Sequence, residues 1–383
     1  MDFELPEEVK LLKDTVRRFV DEELIPIEMK TIEGPSLKPE YREALTKKTK
    51  ELGLWLLTTP KEYGGQGLSV LELAGFWEEV SRTVALPSRS HQIFGPSVSP
   101  ILFRLSPEMQ ERYLFPVLRG EKKSTLAQSE PGAGSDPGMM RTSAVRDGDH
   151  YIINGNKIWI PFADNATFYQ VVAVTDKEKG SRGGLSVFIV DANTPGITIT
   201  GRTEHMMGDV TFEIAFDDVR VPVGNRVGEE GDGMKHAQGF INTNRIHQAC
   251  HGLGVAQRCL EMIASHTQQR VTFGRPVADR QAAQFTMTDL YMKHQLAQLL
   301  VYRTAWRLDK GIAARHEPYM AKLYCTELGF EAADRCLQFH GAMGLSKDMP
   351  IEQLWRRSRS YMITGGPVEI MRTVIARHIY KLF

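Results

Sequence analysis

The sequence predicts an α+β protein in which a central antiparallel β-domain separates an N-terminal helical domain from a C-terminal helical bundle. Two observations carry this. The apolar period changes from three or four to two near residue 121 and back again near residue 229. The short strand-like runs between those points follow one another without intervening helices, which favours an antiparallel package over a doubly wound sheet.

Residues 1–120 read as a helical domain, because 7–27, 41–54 and 71–84 repeat apolar residues at helical spacing with charges between them. The cluster Pro60-Lys-Glu-Tyr-Gly-Gly-Gln-Gly67 marks a turn among them. In 121–228 the β-branched and aromatic runs 150–153, 168–174 and 185–190 are bounded by Gly, Asp, Asn and Pro, as strands are. Residues 229–383 return to long helical periods at 234–268, 279–309 and 318–340, long enough to pack as an antiparallel bundle.

A chain of 383 residues with 42% hydrophobic and 25% charged residues has ordinary globular composition. Lysine plus arginine and aspartate plus glutamate both number 47, so no global field favours nucleic acid or an anionic membrane. The opening Met-Asp-Phe-Glu-Leu-Pro-Glu-Glu lacks a basic start and apolar run, and no stretch approaches the roughly 20 apolar residues of a membrane span. A cytoplasmic location is expected. Cys250, Cys259, Cys325 and Cys336 form no CxxC pair and read as reduced core residues.

Several segments invite chemistry. The loop Leu126-Ala-Gln-Ser-Glu-Pro-Gly-Ala-Gly-Ser-Asp136 places glycines where backbone N–H groups come close to a ligand, and Ser129 and Ser135 add hydroxyls. Alone, it also reads as a plain turn. Arg270-Val-Thr-Phe-Gly-Arg-Pro-Val277 alone reads as a helix C-cap with a dipole-favoured cation. Arg245, in Asn242-Thr-Asn-Arg-Ile-His247, alone reads as a solvated or salt-bridged face residue. His247 and His251 have the spacing of a two-His metal site, but no acidic or cysteine ligand stands nearby in sequence, so no metal is expected. Gly64-Gly-Gln-Gly67 and Gly252-Leu-Gly254 lack the strand-and-helix setting of a dinucleotide fingerprint.

Together, the segments at 126–136 and 270–277, Trp159, the stretch around Gln338, Pro107-Glu-Met-Gln-Glu-Arg-Tyr-Leu-Phe-Pro-Val-Leu-Arg-Gly120 and Phe216-Asp-Asp-Val-Arg-Val-Pro222 resemble the acyl-CoA dehydrogenase family. The resemblance covers nearly the whole chain. It implies a C-terminal four-helix bundle, a homotetramer or homodimer, FAD held between a β-domain and two neighbouring bundles, and an acyl-CoA substrate. It also implies an electron-transferring flavoprotein as electron partner. Gln128 and Ser129 would lie beside the flavin pyrimidine, Gly134 and Ser135 toward pyrophosphate and CoA, and Trp159 and Pro161 at the flavin. Arg270, Thr272 and Phe273 would reach the diphosphate and adenine of an adjacent subunit's cofactor, with Gln281, Gln338 and Gly341 extending the groove. Arg245 matches the arginine near the CoA arm, and Glu369 a ribityl or structural contact.

The chain departs from the family where the chemistry belongs. Ile363-Thr-Gly-Gly-Pro-Val-Glu-Ile370 puts Gly365 at the position of the catalytic glutamate, and Asn244 occupies the alternative base position. Trp159-Ile-Pro161 replaces Trp-Ile-Thr, removing a hydroxyl and an N–H at flavin N5. Met206-Met-Gly-Asp-Val-Thr-Phe212 is shorter than its family counterpart, and in a segment that reads equally as a surface loop Arg89 or His91 would meet a polar or anionic acyl group. Loss of a positioned base costs about 10²–10⁴ in rate. The expected function is therefore an atypical FAD-dependent oxidoreduction of a polar, conjugated or ring-containing acyl-CoA. The alternatives are a flavin-dependent oxygenase using O2, an enoyl-CoA reductase or eliminase, and a non-catalytic CoA-binding scaffold. Restoring Glu at 365 is expected to yield ordinary dehydrogenase activity.

Overall fold

A computed structural model describes residues 4–88, 92–314 and 316–383. The chain folds as two compact units, Met1–Ile93 with Asn242–Phe383, and Phe94–Ile241.

In the helical unit, α1 (Glu7–Phe19), α2 (Pro39–Glu51) and α3 (Val70–Val80) form the N-terminal part. The predicted 7–27 helix widens into a π-type turn at Val20–Leu24 and then tightens into a 3₁₀ turn at Ile25–Ile27. Ser69 and Glu72 close a reciprocal capping box at the start of α3. The C-terminal part is α4 (Gly233–Gln269), α5 (Gln281–Asp309), α6 (Glu317–His340), α7 (Ile351–Tyr361) and α8 (Val368–Ile379). Buried Glu78 of α3 joins the two parts, accepting from Lys13 Nζ at 2.6 Å, Gln298 Nε2 at 2.6 Å and the Tyr302 hydroxyl. Burial works to raise its carboxyl, but Lys13 and these donors hold it below the usual carboxylate range.

Helices α4 and α6 cross closely because both are glycine at the contact. A Cβ on Gly252 would collide with the Cys325 carbonyl, and one on Gly329 would sit 2.8 Å from the Gly252 Cα. The Arg245–Tyr319 contact before this crossing and the His266–His340 stack after it show that the two helices run parallel. All four cysteines are buried and free.

In the other unit, the sheet is built from β1 (Ser124–Ala127), β2 (Ser143–Asp147), β3 (His150–Pro161), β4 (Phe168–Val174), β5 (Leu185–Asp191), β6 (Ile197–Glu204), β7 (Val210–Pro222) and β8 (Arg226–Val227). The strand order is β8-β5-β4-β2-β3-β7-β6, with β1 beside β4. Pairing is antiparallel except for β1 with β4 and the single Ser143–Val174 bridge of β2 with β4. Alternating Tyr151 and Ile153 from β3 and Tyr169 and Val171 from β4 pack with Phe188, Ile214 and Phe216 into its core. Among the described residues no helix is long and apolar enough to cross a membrane.

Candidate active site

In the β unit, a buried lysine ties the glycine-rich loop to the strand that carries Trp159. Lys157 is fully buried and donates to the Gln128 carbonyl at 3.0 Å and to Glu130 Oε1 at 2.8 Å. Glu130 also accepts from the backbone N–H groups of Arg141 at 2.6 Å and Thr142 at 2.9 Å. Burial opposes both charges, and the outcomes differ. Lys157 has one anionic partner and is pushed down to about 8, whereas Glu130 collects several donors and stays below the usual carboxylate range. A further bond, Ile158 N–H to Ser129 carbonyl at 2.9 Å, completes the strap.

Next to this strap the β3–β7 register slips between Lys157 and Ile160, and Trp159 takes φ +62°. A bulge of this kind re-aims a side chain, and a positive φ on a large residue persists only where its surroundings impose it. The indole is 50% exposed, with the His205 ring 5.8 Å away. Pro161, which ends β3, is register partner of Thr211, whose hydroxyl meets His205 Nε2 at 2.8 Å. A Cβ on Gly132 or Gly134 would meet no protein atom within 4 Å, so the loop's own packing leaves that side open. Ser135 is exposed beside Gly134.

In the helical unit, α4 ends at Gln269, and Arg270 leads into the Val271–Thr272 and Arg275–Pro276 hairpin. Phe273 and Gly274 turn it with φ +51° and +81°, leaving the Phe273 ring 97% exposed. Arg280 holds the turn through the Thr272 carbonyl and hydroxyl. Gln281 opens α5, exposed. Exposed Gln338 lies in the last turn of α6, and its carbonyl accepts from the Gly341 N–H at 3.2 Å. The His266–His340 stack, 4.2 Å between centroids, brings the C-terminal ends of α4 and α6 to one end of the bundle. Arg270 and the Gln338–Gly341 turn therefore share that end.

The position of the expected base lies in the turn from α7 to α8, where Gly365 and Gly366 have φ +67° and +103°. Lys322 of α6, 0% exposed, clamps this turn by donating to the Thr364 carbonyl at 2.5 Å and to the Gly366 carbonyl. Burial, then repulsion by Arg245, pushes its ammonium down to about 7. A Cβ on Gly365 would lie 2.5 Å from Gln248 Nε2 and 2.9 Å from its Oε1. One turn before Gln248, Arg245 stacks on Tyr319, 3.8 Å from guanidinium carbon to ring centroid, and donates to Asn242 Oδ1 at 3.1 Å. Its neighbour Asn244 is half-buried. Glu369 is exposed in the first turn of α8. His247 packs 4.9 Å from Trp77, and His251 stacks 3.9 Å from Tyr361. Arg89 and His91 lie outside the described residues.

Three residues at these sites are absent from the sequence reading: Lys157, Gln248 and Lys322. Lys157 alternates in phase with buried Tyr151 and Ile153, and Lys322 falls on the stripe Pro318, Ala321, Cys325, Leu328. A lysine on a core-facing stripe was the available signal. Gln248 had none, since only the fold brings it to Gly365.

Helical, β and helical segments follow one another in this order, with a strapped glycine-rich loop beside an outward-facing tryptophan. The acyl-CoA dehydrogenase N-terminal, middle and C-terminal domain families match residues 6–121, 125–219 and 231–380. The chain belongs to the acyl-CoA dehydrogenase family, whose members are flavin-dependent oxidoreductases. It is 36% identical to (R)-benzylsuccinyl-CoA dehydrogenase of Thauera aromatica, over 99% of this chain and 97% of that protein. It is 34% identical to 3-(aryl)acrylate reductase of Clostridium sporogenes, over 98% and 99%. The structure of glutaryl-coenzyme A dehydrogenase with glutaryl-CoA superposes with a TM-score of 0.88 at 30% identity, covering 100% and 98% of the two chains.

Proposed function

We propose that this protein is an FAD-dependent oxidoreductase acting at the α,β bond of an unusual acyl-CoA without a carboxylate at the usual base position. One observation carries the proposal: the strapped loop and the outward Trp159 are retained, while Gly365 is backed by the Gln248 amide. In the β unit the open side of Gly132 and Gly134 and the exposed Trp159 ring fit a large planar cofactor with a diphosphate arm. In the β unit Gln128, Ser129, Gly134, Ser135, Trp159 and Pro161 would hold it. In the helical unit Arg270, Thr272 and Phe273 would reach the cofactor of an adjacent subunit, with Gln281, Gln338 and Gly341 extending that groove and Glu369 as a ribityl or structural contact. Bound FAD supplies the two-electron acceptor or donor.

The remaining work falls to the chain. Lys157 and Glu130 fix the loop against the strand, so that the donors on it are set before substrate arrives. Lys322 fixes the turn at Gly365. With an amide rather than a carboxylate there, the substrate must contribute an acidified α-proton or enter as the unsaturated thioester. The names of the benzylsuccinyl-CoA and arylacrylate relatives support a substrate outside the simple fatty acyl class. Ser135 and Arg245 are the substrate contacts, and an electron-transferring flavoprotein is the electron partner. A homotetramer or homodimer is the assembly this reading carries.

A second reading, use of O2 by the reduced enzyme, is favoured by Pro161, which offers neither hydroxyl nor N–H. Mixing the reduced FAD-loaded protein with oxygen separates them. Slow reoxidation with product bound supports the dehydrogenase or reductase, and fast reoxidation with oxygen incorporated into the thioester supports the second reading.

A further inference from the structure

His205 lies in the turn between β6 and β7, where its N–H donates to the Asp209 carbonyl at 2.9 Å and its own carbonyl accepts from the Gly208 N–H at 2.9 Å. The half-buried ring tilts against the Trp159 indole, 5.8 Å between centroids, and its Nε2 meets the Thr211 hydroxyl at 2.8 Å. Thr211 and Pro161 are register partners in an antiparallel ladder, so their side chains leave the sheet on the same face. The next pair, Ile160 and Phe212, points the other way, into the core of the β unit. His205 therefore bridges Trp159 to the Pro161–Thr211 pair on the side of the sheet away from that core.

Thr211 is 1% exposed, and its hydroxyl has no other partner among the described residues. A buried hydroxyl hydrogen left without an acceptor is costly, so this one is donated to His205 Nε2. With Nε2 accepting, the imidazole carries its hydrogen on Nδ1. The ring thereby presents an N–H donor beside Trp159, where Pro161 presents none. We infer that His205 is a cofactor-contacting residue that donates its Nδ1–H to the bound flavin beside Trp159, and that Thr211 is the positioning residue that sets its tautomer. This rests on the FAD reading above. A fixed donor favours the form of its partner that carries more electron density, so it favours reduced over oxidised flavin.

The test is reductive titration of the FAD-loaded protein, which gives the flavin midpoint potential, with FAD dissociation followed in parallel by fluorescence. His205→Phe keeps a ring against Trp159 and removes both nitrogens. It should weaken the preference for reduced over oxidised flavin about tenfold, a fall of about 30 mV for a two-electron couple, while FAD dissociation changes by less than about threefold. Thr211→Val removes the group that fixes the tautomer and should lower the potential by a smaller amount. Pro161→Thr added to His205→Phe returns a hydroxyl to the same face and should recover part of the loss. An unchanged potential in His205→Phe overturns the inference. So does a His205→Phe variant that sheds FAD while the bound fraction keeps its potential, the mark of a packing role alone. If His205→Phe does not fold, Thr211→Val decides, and an unchanged potential there overturns the inference. A wild-type protein that binds no FAD overturns the FAD reading itself, and the inference with it.

Discussion

The side-chain amide of Gln248 stands where a side chain on Gly365 would begin, 2.5 Å from an added Cβ. Gln248 of α4 thus packs against the α7–α8 turn at Gly365, and the consequences reach mutagenesis, stability and pH behaviour.

Gly365→Glu alone should give less ordinary dehydrogenase activity than the sequence leads one to expect. The new Cβ must displace the end of the Gln248 side chain, and φ +67° disfavours a non-glycine residue by about 1–2 kcal/mol. Gly365→Glu with Gln248→Ala relieves the first conflict. Turnover of butyryl-CoA with an artificial electron acceptor should rise in the double variant above both single variants.

Lys157→Met should lower stability by about 3–5 kcal/mol, since it leaves the buried Glu130 carboxylate without its cation. Denaturant titration checks this. Glu130→Gln, which keeps a hydrogen-bonding oxygen, should cost less, and both should loosen FAD.

Trp159→Gly should separate stability from binding. It removes a half-exposed ring and a strained φ, so denaturation should change by no more than about 1 kcal/mol. FAD retention on gel filtration should nevertheless fall.

Lys322 sets a pH signature. Below about pH 7 it is charged in both folded and unfolded chains, and the burial penalty is fully present. As pH rises from about 7 toward the ordinary lysine value of 10.5, the folded chain sheds its proton first, so stability climbs. Lys157, pushed down to about 8, acts in the same direction. Urea midpoints at pH 6 and pH 9 should rise for the wild type, and the rise should be smaller in Lys322→Met.

Much of the architecture was legible because it follows local periods. The long helices of 233–269, 281–309 and 317–340 and the strand at 168–174 agree with their sequence ranges within a few residues. The π-type turn at Val20–Leu24 was not legible, since the 3.6-residue pattern runs through it unbroken. Parallel pairing of β1 with β4 was equally hidden, because pairing partners depend on long-range topology. Trp159 was visible as a residue but its bulge was not, since a register slip depends on strand β7. Gln248 meets Gly365 across more than a hundred residues, and no spacing rule reports that contact.

The most direct test of the central claim is anaerobic stopped-flow absorbance of the FAD-loaded protein mixed with a panel of simple, aromatic and dicarboxylic acyl-CoAs and, after reduction, with their enoyl counterparts. The account predicts rapid flavin bleaching or reoxidation with an unusual thioester and only slow change with butyryl-CoA. A protein that retains no flavin, or whose flavin responds to no CoA ester, would contradict it.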